Sequence, residues 1–114
     1  MRVHTLKKNY EFRRLNSKGR SSVTPVLVVY FRPRSGKDIR VGFTVSTKLG
    51  HAVVRNRIRR RMREIYRLNY PQLREGIDLV LVARMRAVTA PYTVLEDAFI
   101  RACRDLGIWK GETL

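Results

Sequence analysis

The sequence predicts an α/β chain, an α+β two-layer sandwich in the order α-β-β-α-β-α, with helices packed on one mixed sheet. Three observations predict it. Three short runs, at 26–31, 40–46 and 77–83, are rich in β-branched, aliphatic or aromatic residues. The segments before, between and after them place apolar residues at helical spacing. The length, 114 residues, suits one domain with a modest core, and no repeat, low-complexity stretch or linker divides 1–114.

The first helix is expected over 6–19. Asn9 is its candidate N-cap, Phe12 and Leu15 lie one turn apart, and Gly19 suits the left-handed position past its end. Val26-Leu27-Val28-Val29-Tyr30-Phe31 follows Pro25 and leads into the turn-prone, basic Arg32-Pro33-Arg34-Ser35-Gly36. Arg40-Val41-Gly42-Phe43-Thr44-Val45-Ser46 alternates, with Val41, Phe43 and Val45 on one side. These two runs are close enough in sequence to be expected as an antiparallel hairpin. Gly42, in mid-strand, marks a place where another backbone or a ligand approaches.

The second helix carries the strongest signal in the chain. Seven arginines fall between positions 55 and 67, with Glu64 the one acid among them. Wound at about 100° per residue, Val54, Ile58, Met62 and Ile65 share one sector, with Leu68 at its edge. Arg55, Asn56, Arg59, Arg60, Arg63 and Arg67 take the opposite side. Arg57 and Arg61 flank the stripe, where their stems can cover apolar surface. The helix is expected to end near Leu68 to Asn69, with Pro71 as a stop. Ile77-Asp78-Leu79-Val80-Leu81-Val82-Ala83 is apolar enough to be a central strand buried on both faces. A last helix from about Pro91 to Leu106 packs Leu95, Ala98, Phe99, Ala102 and Leu106 inward. Gly107 is its cap and Trp109 folds back after it.

The charge balance selects the partner. A net charge of +16 attracts polyanions, and a solvated helix face would mix its signs. Arginine's planar fork suits phosphate oxygens in a bidentate way. A membrane is disfavoured, since no apolar run approaches a spanning length and the N-terminus has no apolar signal core. One cysteine, Cys103, excludes an internal disulfide and a cysteine metal cluster, and its spacing beside Phe99 and Leu106 makes it a core thiol. The setting expected is reducing and cytoplasmic.

Catalytic residues are expected to be none, and metal ligands none. His4 and His51 have no visible acid–base partner, and the nine acids show no metal-ligand spacing. No phosphate-cradling glycine loop is present, although Gly50 and the helix behind it could bind an anion. Phe12, Tyr30, Phe31 and Phe43 offer rings on which single-stranded bases stack. Phe31 or Phe43, whichever faces the helices, is assigned to the core, while Phe12 and Tyr30 are more open. Asn56, donor and acceptor together, could read a base edge.

The chain resembles the protein subunit of bacterial ribonuclease P over about positions 6 to 106. The resemblance rests on Leu6-Lys7-Lys8-Asn9-x-x-Phe12, Gly19, Tyr30 and Arg40-Val41-Gly42-Phe43-x-Val45-Ser46. It centres on Lys48-x-x-Gly50-x-Ala52-Val53-x-Arg55-Asn56-Arg57-x-Arg59-Arg60-x-x-Arg63-Glu64. It implies the fold shared by that family and domain 2 of ribosomal protein S5, with a left-handed βαβ crossover against the usual rule. It implies a large catalytic RNA, carrying the Mg²⁺ ions, that removes the 5′ leader from precursor tRNA, and a protein bound to it one to one. Arg55, Asn56, Arg57, Arg59, Arg60 and Arg63, with Arg67 from the same helix face, would meet RNA. Phe12, Tyr30, Lys48 and Phe43 would line a cleft for the leader. Asn16 and Leu27 stand where aromatics are common in that family, which bears on leader stacking. Arg61 replaces an apolar residue and His51 an asparagine. The alternatives are a ribosomal or chaperone-like RNA binder without a processing role, and an endonuclease cutting with its own side chains.

Overall fold

The computed structural model describes residues 4–5 and 19–111. The helix expected over 6–19 therefore lies, apart from Gly19, outside the described residues, and Phe12 with it. The described elements are β1 (His4–Thr5), β2 (Arg20–Val23), β3 (Leu27–Pro33), β4 (Ile39–Thr44), α1 (Ala52–Asn69), β5 (Ile77–Ala83) and α2 (Tyr92–Asp105). Short 3₁₀ turns at Thr47–Leu49, Tyr70–Gln72 and Met85–Val88 join them. Five strands form one sheet in the order β1-β4-β5-β3-β2.

The apolar run at 77–83 is the middle strand, as its composition predicts. It pairs antiparallel with β3, Tyr30 opposite Val80, and parallel with β4, Gly42 opposite Val80. The expected hairpin between the two preceding runs does not form. β5 inserts between β3 and β4, and α1 supplies the crossover that parallel neighbours require. β3 has antiparallel neighbours on both sides, β5 on one and β2 on the other, with Ser21 opposite Tyr30. Sequence proximity misled here because a strand rich enough to be buried on both faces outcompetes a half-polar one for the central position.

The pairing register fixes two faces. Leu27, Val29, Phe31, Val41, Phe43, Ile77, Leu79, Leu81 and Ala83 share one and form the core with both helices. The other face carries Val28, Tyr30, Arg32, Arg40, Gly42, Asp78, Val80 and Val82. From α2, Leu95, Ala98, Phe99, Ala102 and Cys103 are buried. Gly107 closes that helix at φ +74°, with its N–H on Arg104 O at 3.0 Å and that of Ile108 on Cys103 O at 3.0 Å. The two bonds satisfy carbonyls that the helix leaves open. Trp109 does fold back, bridging to Leu73. Burial pushes the Cys103 thiol up to about 12, which keeps it an inert core group.

Candidate nucleic-acid interface

α1 is held by Ile58, Met62, Ile65 and Tyr66, all buried. Compared with the sequence reading, the buried stripe is rotated toward Tyr66 and Asn69. Leu68, expected at its edge, is 52 % exposed. Asn69 donates from Nδ2 to Ile65 O at 2.8 Å and to Glu96 Oε2 at 3.0 Å, tying the end of α1 to α2. Tyr66 packs edge-on to Phe43 and stacks with Tyr70. Its burial raises the phenol to about 12, so it stays neutral.

That rotation sorts the arginines. Arg60 and Arg63 are exposed, and Arg63 lies 5.8 Å from the centre of the Phe43 ring. Arg59 donates to Asn56 Oδ1 at 3.0 Å, which orients the Asn56 amide. Arg57 and Arg61 turn sideways, donating to Val88 O at 3.0 Å and Ala90 O at 3.2 Å. They latch the 3₁₀ turn before α2 onto α1. Arg55, placed by sequence on the outer side, is half-buried, and its Nε reaches back to Gly50 O at 3.1 Å. Among the described residues, one carboxylate pairs with this helix's arginines: Glu64 accepts from Arg67 Nε at 2.9 Å. That contact lowers the Glu64 pKa, its largest cause being the Arg67 hydrogen bond.

The start of α1 is open. His51 occupies the N-cap and makes no side-chain cap bond, so first-turn N–H groups are available to an anion. Gly50 precedes it at φ +143°, and a Cβ there would lie 3.2 Å from Val54 Cβ. Only glycine fits that approach without strain. Lys48 is exposed in the turn just before, its N–H held by Ser46 Oγ at 3.2 Å.

The rings grouped by sequence into one cleft separate. Tyr30 is half-buried on the face turned away from the two described helices, α1 and α2, whereas Phe43, in register with Leu81, lies on their side. Those two do not line a common cleft, and Phe43 belongs with Arg63 and Tyr66. Phe31 is also on the helix side and buried, so both phenylalanines considered for the core are there.

Sequence reading missed the network around Asp78. This carboxylate is 2 % exposed. It accepts from Arg40 Nε and Nη2, both at 2.8 Å, and from Arg32 Nη2 at 3.0 Å, with Arg34 Nε at 3.4 Å. Burial alone would raise the Asp78 carboxyl, but hydrogen bonds from Arg40 and Arg32 outweigh it and hold the pKa below the ordinary value. The signal available was a lone acid inside an otherwise apolar central strand. Among the described residues, no three of His, Cys, Asp and Glu form a group able to hold a metal ion, and no helix is long and apolar enough to cross a membrane.

A family model, Ribonuclease P, matches residues 1–107. The chain belongs to the ribonuclease P protein family. It is 46 % identical over 99 residues to the ribonuclease P protein component of Natranaerobius thermophilus, covering 87 % of this chain and 86 % of that one. With the component from Alkaliphilus oremlandii it shares 35 % over 106 residues, 93 % of each. Its fold is similar to the Staphylococcus aureus RNase P protein, with TM-score 0.85 and 28 % identity over 95 % of this chain and 99 % of that one. It is also similar to the Thermotoga maritima RNase P protein, with TM-score 0.81 and 25 % identity over 91 % and 97 % of the two chains. As a ribonuclease P protein it is a subunit of an endoribonuclease of tRNA processing and associates with the RNA of that enzyme.

Proposed function

We propose that this single domain, 1–114, serves ribonuclease P by two contacts. The outer side of α1, with Asn56, Arg59, Arg60, Arg63 and Arg67, docks on the catalytic RNA, joined by the remaining N–H groups of Arg55 and Arg57. Lys48, Tyr30 and the sheet face around Tyr30 hold the 5′ leader of precursor tRNA. Phe12 joins them through its position in the family motif alone. The observation that carries this reading is the asymmetry of α1. Its apolar side is buried in the sheet, and its outward guanidiniums meet a single carboxylate among the described residues.

Phosphate contacts of this kind give affinity that falls steeply with salt. The hydrolysis is assigned to the RNA and its Mg²⁺. The described residues do not fit a protein-held metal, since no cluster of acids and histidines supplies the oxygen-rich cage that Mg²⁺ takes. The protein's part is to neutralise phosphates where two RNAs meet, in a cytoplasmic particle of one protein to one RNA. The test is reconstitution. With the catalytic RNA, the protein should raise 5′ processing of precursor tRNA at low Mg²⁺. No gain would favour a ribosomal or chaperone-like RNA binder. Cleavage by protein rigorously freed of RNA would favour an endonuclease acting with its own side chains.

A further inference from the structure

We propose that Arg32 and Arg34, set in place by Arg40 and Asp78, bind the phosphodiester backbone of the leader where it runs on past Tyr30. The inference deepens the leader-binding half of the reading above and rests on it.

The pairing register brings the parts together. Arg32 and Arg40 stand on either side of Asp78, on the same sheet face as the neighbouring Tyr30–Val80–Gly42 row. Arg40 takes both Asp78 oxygens. The carboxylate thus already has a bidentate partner when Arg32 and Arg34 reach it, and these two carry positive charge beyond what it balances. Their side chains keep 18 % and 25 % of their exposure, enough for a second acceptor to reach them.

The surroundings hold the cluster rigid. The turn after β3 is fastened to the start of β5, Arg34 N–H to Gly76 O at 2.8 Å and Gly76 N–H to Lys37 O at 3.3 Å. Gly76 adopts φ +71°, and a Cβ there would sit 2.6 Å from Gly36 O, so the turn packs directly on it. Guanidiniums fixed in advance lose little freedom on meeting phosphate. Tyr30 and Arg32 are about 7 Å apart along the strand, so a base stacked on Tyr30 leaves its neighbouring phosphate within reach of Arg32. An aromatic platform beside a cationic track is the arrangement that holds single strands, which favours the leader over a folded duplex.

The test uses the enzyme reconstituted with its RNA subunit and precursor tRNAs whose leaders have graded lengths. Arg32→Gln with Arg34→Gln should bind leaderless and short-leader tRNA as wild type does, and lose about tenfold on the longest leader. Its salt dependence there should be shallower by about 0.7 in log–log slope for each phosphate contact removed. Arg34→Gln alone, at the outermost and longest contact, should show the same pattern in smaller measure, and serves if the double variant fails to fold. A wild type that distinguishes leaders while both variants follow it at every length overturns the role of this cluster. Equal loss for leaderless tRNA, or weaker binding of the RNA subunit alone, overturns it in favour of folded RNA. A wild type indifferent to the leader would instead sink the leader reading, and this inference with it.

Discussion

On α1, Arg60 and Arg63 stand in solvent, and the neighbouring arginines reach backbone carbonyls, an amide or Glu64. Around Asp78, Arg32, Arg34 and Arg40 converge on one buried carboxylate. The charge type is the same, but the energetics differ. Hydrogen bonds to backbone carbonyls orient a guanidinium without neutralising it, so α1 keeps its positive field. A buried carboxylate cancels part of the charge and makes the rest depend on its own ionisation. The first arrangement suits a broad docking surface, and the second couples local stability to charge.

The largest effect should fall on what positions the first set. Ile58 is 1 % exposed at the centre of the buried stripe. Ile58→Ala should cost about 2–5 kcal/mol, read as a lower denaturation midpoint of the isolated protein. RNA docking should weaken along with it, because the outer arginines lose their fixed register. A melt superimposable on wild type would contradict the packing.

Next comes the second set. Asp78→Asn leaves three guanidiniums partly buried around a neutral amide. The cost should be about 3 kcal/mol, the low end for breaking buried pairs, since the guanidiniums retain some water. The pH dependence follows from the depressed carboxyl of the folded state. Asp78 stabilises the fold above its unfolded pKa of about 4. That contribution disappears as pH falls through the lower folded value. Wild type and Asp78→Asn should therefore converge in stability toward acid pH and diverge at neutral pH. Parallel stability profiles would mean that the carboxylate contributes nothing through its charge.

The contrast also marks what the sequence could reveal. α1, α2 and β5 were legible because each is defined by a local period or a continuous apolar run. The Phe99 and Leu95 side of α2 and the central place of β5 follow from it. β2 gave no such signal, since Arg20-Ser21-Ser22-Val23 is mostly polar and is a strand through pairing with β3. The false β3–β4 hairpin has the same cause, because pairing partners are chosen by the whole sheet. The outward arginines of α1 were legible as a face. Which of them bend back was not, because Arg57 and Arg61 find carbonyls 31 and 29 residues away. Asp78 meets Arg32 and Arg40 across 46 and 38 residues, a convergence that only the strand order creates.

A third change separates docking from folding. Arg60→Ala with Arg63→Ala removes exposed side chains whose described contacts include only the Phe43 ring. Stability should stay within about 0.5 kcal/mol. Affinity for the catalytic RNA should fall by about tenfold or more, with a shallower salt dependence. Unchanged affinity at physiological salt would remove α1's outer side from the interface.

The smallest effect should come from Glu64→Gln, and it isolates the one carboxylate on the arginine helix. Glu64 and Arg67 are both about half exposed. Their contact lowers the Glu64 pKa and raises that of Arg67, yet water screens such pairs so well that melting should not move measurably. Binding should respond in the opposite sense to every change above. Without the carboxylate, Arg67 is free to turn toward phosphate and the local field becomes more positive, so RNA affinity should rise about twofold at low salt and the gain should fade as salt increases. If affinity instead fell, Glu64 would be holding Arg67 in its binding geometry. Ordering of an arginine by a carboxylate, as around Asp78, would then operate on α1 itself.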